Sequence, residues 1–212
     1  MPELPDLEYI VKKLAPRVIG RTITRVTVRE PIVIRMLLPG AGAFAQALPG
    51  RSIQGLRRRG PFLHFSLGGG SGAGSAEGTD GSSGAADLIV HNMLAGRLQI
   101  CEPSVKAVPH LCFTVELDSG EVLRYGDEKK MGKVYLTPAG TWDAVPGFRE
   151  QGVDILSPEF TWERFDAVLG RRRHQVRVFL MDQSAISAIG NAYAVEILFA
   201  ARIHPKTPCS SL

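Results

Sequence analysis

The 212 residues, 44% of them hydrophobic, suffice for one large domain or two small ones with a packed core. No run approaches the ~18 consecutive apolar residues of a membrane helix, and the N-terminus lacks the charged region and apolar run of a secretory signal, so a cytoplasmic chain without a membrane partner is expected. Cys101, Cys112 and Cys209 form neither a CxxC pair nor an even-numbered disulfide framework, and a net charge of +4 is by itself too small to point to nucleic acid.

The chain opens "MPELPDLE". From Asp6 to Leu14 the apolar residues Leu7, Ile10, Val11 and Leu14 recur at helical spacing, with Asp6 and Glu8 in the first turn, where the helix dipole favours carboxylates. A helix starting this early anchors an end that in most chains frays. Stretches rich in Val, Ile, Thr and Phe follow: "TITRVTVRE", "FLHFSL", "DLIVHNML", "RLQIC", "LCFTVEL", "EVLRYG" and "KVYLTP". Their alternation, and the Gly, Pro and Asp-Ser-Gly turns between them, predict antiparallel strands in a sandwich or barrel. Residues 68–87, "GGGSGAGSAEGTDGSSGAAD", bury too little apolar surface to offset ordering entropy, and read as a floppy hairpin insertion without chemistry.

After "TPAGTWDAVPGF" the pattern becomes helical. "PEFTWERFDAVLG" starts at a proline with acidic residues early, and "RRRHQVRVFLMDQ" places Val176, Phe179 and Leu180 on one face. "SAISAIGNAYAVEILFAARIHP" predicts two helical runs meeting at a Gly190-Asn191 turn. The expected architecture is α+β: an antiparallel β-sandwich domain with an N-terminal helix (1–137), a linker (138–157) and a helical domain (158–212).

The chemistry-bearing candidates lie at the N-terminus. Once Met1 is removed, Pro2 is a secondary amine with the pKa of about 8 usual for α-amino groups, so a useful fraction is unprotonated and nucleophilic at neutral pH. Attack on a sugar's anomeric carbon gives an iminium that promotes elimination; Glu3 can move the protons and Asp6 can position the terminus. A plainer role is local: the prolines stiffen the helix entry while Glu3 and Asp6 satisfy its first amides. Basic residues cluster at Arg57–Arg59 and Arg171–Arg173, with Arg177 shortly after and Lys129, Lys130 and Lys133 between. Each triplet alone reads equally well as a solvated face.

"PELPDLE", "VIGRTI", "LRRRG", "VLRYGDEKKMG" and "DQSAISAIGNAYAVEILFAARIHP" together resemble the formamidopyrimidine-DNA glycosylase and endonuclease VIII family over nearly the whole chain. The resemblance implies a helix-two-turns-helix motif in the helical domain, damaged double-stranded DNA as partner, a monomer, and a bifunctional glycosylase and abasic-site lyase acting on oxidised purines. It makes Pro2 the nucleophile, Glu3 the catalytic acid and Asp6 the stand-in for a usual glutamate. Asn191 and the Gly190 turn amides would grip a phosphate, while Leu94, Met131 and Lys129 would fill the gap left by a flipped base. Arg173 and Arg177 would add charge to the groove. The family's usual hairpin lysine is here Pro61, with Arg59 as the nearest replacement. A structural zinc would sit in a C-terminal segment expected to be absent, leaving no cofactor or metal ligand within the chain, the helical domain incomplete, and Ile197, Leu198 or Phe199 partly exposed. These departures favour, as an alternative, a catalytically impaired protein that binds abasic or damaged sites.

Overall fold

The computed structural model describes residues 2–69, 84–170 and 172–212. Helix α1 (Leu4–Val18) buries Leu4, Leu7, Leu14 and Val18 along one stripe and carries Pro5 in its first turn, where a missing N–H costs nothing. Nine strands of the first part then form two sheets: β1 (Ile23–Val28), β2 (Ile34–Met36), β3 (Ile53–Arg59), β4 (Phe62–Leu67), β5 (Ala86–His91), β6 (Gly96–Cys101), β7 (Leu111–Leu117), β8 (Val122–Asp127) and β9 (Lys133–Pro138). One sheet has the order β1-β7-β8-β6 and the other β2-β9-β5-β4-β3. All pairings in them are antiparallel except β2 with β9. A short helix, α2 (Phe44–Ala47), lies between β2 and β3.

The main core fills the space between the sheets and under α1, with Phe65, Leu63, Phe113, Tyr125 and Leu136 among its most buried members. Burying each such side chain is worth about 1.5–3 kcal/mol. Residues 138–148 lie on the outer face of the five-stranded sheet, where Val145 and Phe148 pack against Phe62, Ile89 and Tyr135. The linker thus has a core of its own. The Asp87 carboxylate fixes it further, accepting from Gly140 N–H at 2.9 Å and from Trp142 Nε1–H at 2.5 Å while Oδ1 pairs with His64 Nε2 at 2.7 Å.

Asp87 corrects one expectation. Residues 70–83 of the Gly/Ser-rich stretch lie outside the described residues, but Ala86 and Asp87 belong to β5 and are buried. The strand expected from "DLIVHNML" starts one residue earlier, at Ala86, inside the Gly/Ser-rich composition, and Asp87 at its start is a buried hydrogen-bonding residue and not part of a floppy insertion.

The C-terminal part is built from β10 (Val153–Asp154), α3 (Trp162–Leu169), α4 (Val176–Leu180), β11 (Ile186–Ser187) and α5 (Asn191–Ala201) around Phe179, Ile186, Ile189, Ala194 and Leu198. Helix α3 starts at a Thr161 cap, whose side chain accepts from Arg164 N–H, rather than at Pro158. The first of the two expected helical runs around Gly190 is also corrected. Ile186–Ser187 is extended and pairs in parallel with Val153–Asp154, tying the linker to the helical part. Of the apolar residues expected to be uncovered on α5, Leu198 is buried, whereas Ile197 and Phe199 are exposed, Phe199 by 81%.

Candidate active site and nucleic-acid interface

Glu3 joins the two parts of the molecule. Its own N–H donates to Asp6 Oδ2 at 3.0 Å, which satisfies one orphan amide of α1 as the local reading expects. Its buried carboxylate turns the other way, to the start of α5. Oε2 accepts from Gly190 N–H at 2.9 Å and Tyr193 N–H at 3.0 Å, and Oε1 accepts from Ala192 N–H at 2.9 Å. A carboxylate at a helix N-terminus meets both free N–H groups and the positive end of the dipole. Next to it, Leu4 N–H donates to Ala188 O at 3.0 Å.

The turn that receives Leu4 is held in an unusual backbone conformation. Ala188 has φ +64°, a left-handed setting that is unfavourable for a residue with a Cβ. Gln183 holds it there, accepting from Ala188 N–H at 2.8 Å and donating to Ile189 O at 2.7 Å. A Cβ at Gly190 would lie 2.6 Å from Glu3 Cδ, so glycine is needed for the carboxylate to reach the helix. Gln183 carried no signal in the sequence; only the folded turn reveals it. Pro2, half-buried, is therefore presented at the junction of the two parts.

The expected phosphate grip is redistributed. The Gly190 amide is spent on Glu3, so it is not available to a phosphate as the turn reading supposed. Asn191 is exposed, and its Oδ1 accepts from Arg177 Nη2–H. That contact fixes the amide so that Nδ2 is the outward donor. Among the described residues the Asn191 backbone N–H has no acceptor. Arg177 is thus committed to Asn191, while Arg173 is exposed and unpaired among the described residues.

Three connections lie together at one end of the sandwich: the Gly60-Pro61 hairpin turn, residues 92–95 between β5 and β6, and residues 128–132 between β8 and β9. The last two carry Leu94, 62% exposed, and Met131, 44% exposed, as apolar side chains facing solvent. Asp127 braces the second loop from below, accepting from Lys129 N–H at 3.0 Å and Gly132 N–H at 2.6 Å. Lys129 is exposed beside Glu128, and Lys130 pairs with Glu30 at 3.0 Å.

The arginine triplet is tied into its surroundings, although Arg57 is itself exposed. Arg57 Nε–H donates to His64 Nδ1 at 3.1 Å, and Arg58 is buried between Glu8 at 2.7 Å and Asp154 at 2.5 Å. Arg59 Nε–H donates to Phe148 O at 2.8 Å and its Nη2–H to Arg149 O at 3.3 Å, so two of its five donors hold the linker while its charge meets no carboxylate among the described residues. On the neighbouring strands, burial and then the Lys133 ammonium push the His91 imidazole down to about 4. His91 Nδ1 accepts from Met93 N–H at 3.0 Å, which leaves the proton of the neutral ring on Nε2.

Among the described residues no three His, Cys, Asp or Glu side chains are grouped to hold a metal, and no helix is long and apolar enough to cross a membrane. The model of the formamidopyrimidine-DNA glycosylase N-terminal domain matches residues 1–134, and that of the H2TH domain of the same enzymes matches residues 151–212. The chain belongs to the formamidopyrimidine-DNA glycosylase family. It is 36% identical over 212 residues to the formamidopyrimidine-DNA glycosylase of Moorella thermoacetica, covering all of this chain and 71% of the relative. The Symbiobacterium thermophilum enzyme is 35% identical, with 64% of its length covered. Among solved structures, MutM (Fpg) of Thermus thermophilus superposes with a TM-score of 0.79 at 28% identity, over 100% of this chain and 68% of that one. Lactococcus lactis Fpg bound to DNA with an abasic site gives 0.78 at 26% identity, over 99% and 70%.

Proposed function

We propose that this chain is a DNA glycosylase and abasic-site lyase of base-excision repair that acts on oxidised purines in duplex DNA through the Pro2 nitrogen. The observation that carries the reading is the anchoring of Pro2-Glu3-Leu4 at the junction, by the Glu3 carboxylate on α5 and by Leu4 on Ala188. A nucleophile at a chain end is useful only if that end is held, and four hydrogen bonds hold this one across the two parts. Lactococcus lactis Fpg has been solved with DNA carrying an abasic site and with DNA carrying N7-benzyl-Fapy-dG.

In the proposed reaction the damaged nucleotide leaves the stack, and Leu94 and Met131 occupy the space it vacates, offsetting unstacking that costs a few kcal/mol. The free Pro2 nitrogen attacks C1′, the bond from C1′ to the base breaks, and the base departs protonated. Opening of the sugar ring, with the proton delivered to O4′, gives an iminium. Loss of a C2′ proton then expels the 3′ phosphate, loss of a C4′ proton expels the 5′ phosphate, and water hydrolyses the iminium to regenerate the amine. An ionised carboxylate offers about four lone-pair sites, and the α5 amides engage three on Glu3, leaving one to handle protons. The route calls for no cofactor. Outside the sugar, Asn191 and Arg173 face the DNA backbone.

Borohydride added to the protein with a duplex containing an abasic site tests the reading. A covalent protein–DNA adduct, accompanied without borohydride by strand cleavage, is the expected result. Specific binding with neither adduct nor cleavage would replace the enzyme by a binder of damaged sites.

A further inference from the structure

The register of the five-stranded sheet places Arg59, Phe62, His91 and Lys133 in one row across its outer face, at the end where the loops meet. The linker covers the next rows, but this one borders a cavity of about 250 Å³ whose lining includes Pro61, His91, Lys133, Gly147, Gln151 and Gln183, with no carboxylate in its wall among the described residues. Met93, beside the exposed Leu94, completes one side, and Gln183 links the other to the turn that receives Leu4. The cavity therefore opens between the apolar loop tips and the N-terminus.

Of the other cations at this end, Arg58 pairs with Glu8 and Asp154, Lys130 with Glu30, Arg59 spends two donors on linker carbonyls and Lys129 is exposed beside Glu128, and none of them lines this cavity. Lys133 is exposed and makes no ion pair or hydrogen bond among the described residues. Pro61, in the hairpin turn, has neither charge nor N–H. We propose that Lys133 is the cation that binds a DNA backbone phosphate in this cavity, with His91 Nε2–H beside it as a neutral donor. Lys133 is a positioning residue: it sets the damaged strand in the junction and does not touch the reacting atoms. The inference rests on the DNA-repair reading above.

The experiment uses the full chain and a duplex containing a tetrahydrofuran abasic analogue, with affinity measured against salt for wild type, Lys133→Met, Lys133→Arg and Lys133→Met with Pro61→Lys. One lost phosphate contact lowers the slope of log K against log[salt] by about 0.9, and at ~0.1 M salt we expect roughly fivefold weaker binding. Lys133→Arg should keep the slope and the double variant should recover it. Replacing single phosphates by neutral methylphosphonates should identify one position, close to the lesion, whose neutralisation weakens wild type and leaves Lys133→Met unaffected. An unchanged salt slope, or equal losses in both proteins at every phosphate, overturns the proposal while leaving borohydride trapping by wild type intact. Failure of wild type to bind damaged DNA or to be trapped removes the underlying reading, and this inference with it.

Discussion

Replacing Glu3 separates its role across the junction from any role in proton transfer. Glu3→Ala strips three α5 amides, those of Gly190, Ala192 and Tyr193, of their acceptor. A buried amide left unsatisfied costs about 1–3 kcal/mol, and losing a charge at a helix N-terminus about 0.3–2 kcal/mol. Asn191 next door is exposed, so water reaches part of this end. The expected loss is roughly 4 kcal/mol, near the lower end of the summed range. Glu3→Gln can keep its carbonyl oxygen on Gly190 and Tyr193, but then sets an NH2 group against Ala192 N–H, so roughly 1.5 kcal/mol is expected. Gly190→Ala should act through the same contact, since its Cβ would sit 2.6 Å from Glu3 Cδ. Combined with Glu3→Ala it should therefore cost much less than the sum of the two. Urea unfolding, followed through Trp142 in the linker and Trp162 on α3, gives the stabilities. Hydrogen exchange at residues 190, 192 and 193 locates the effect. A Glu3→Ala protein within 0.5 kcal/mol of wild type, with those amides still protected, would refute the idea that this carboxylate holds α5.

Truncating Leu94 or Met131 to alanine should change stability by less than about 0.5 kcal/mol, as both side chains are exposed, yet slow excision from duplex DNA. Normal excision rates in both variants would remove them from the space left by the flipped base. His91, with its folded pKa near 4 against 6.5 in the unfolded chain, binds its proton more readily when unfolded. Its contribution is complete above pH 6.5 and is lost as pH falls through about 4, by up to roughly 3 kcal/mol. His91→Gln should flatten the stability profile in that window, and a profile identical to wild type would contradict the burial argument. Asn191→Ala should weaken binding to abasic DNA several-fold without altering the unfolding midpoint, because its side chain is exposed and bonds only Arg177 among the described residues. A shift in the midpoint instead would make it a structural residue.

What the sequence disclosed depended on whether the signal was local. α1 follows from the spacing of Leu7, Ile10, Val11 and Leu14, and the strands from alternation that survives with few changes at the ends. Ile53–Arg59 was harder to see as a strand because three consecutive arginines break its apolar alternation, and the partners of Arg58 and Arg59 are carboxylates on α1 and β10 and backbone carbonyls of the linker. Ile186 and Ile189 share helical spacing by coincidence: they flank Ala188, whose positive φ no helix could contain. Glu3 and Asp6 were legible as groups near a helix start. Which helix the Glu3 carboxylate serves was not, since its partners lie 187 to 190 residues away. Lys133 likewise belonged to an undifferentiated run of lysines until the strand register put it beside His91.

The most direct test of the central claim is a peptide map of the borohydride-trapped protein–DNA adduct by mass spectrometry. The account predicts that the sugar remnant is carried by an N-terminal peptide beginning at Pro2, with the modification on the proline nitrogen. A remnant on the amine of a lysine, Lys133 included, or on a chain still beginning with Met1, would contradict it.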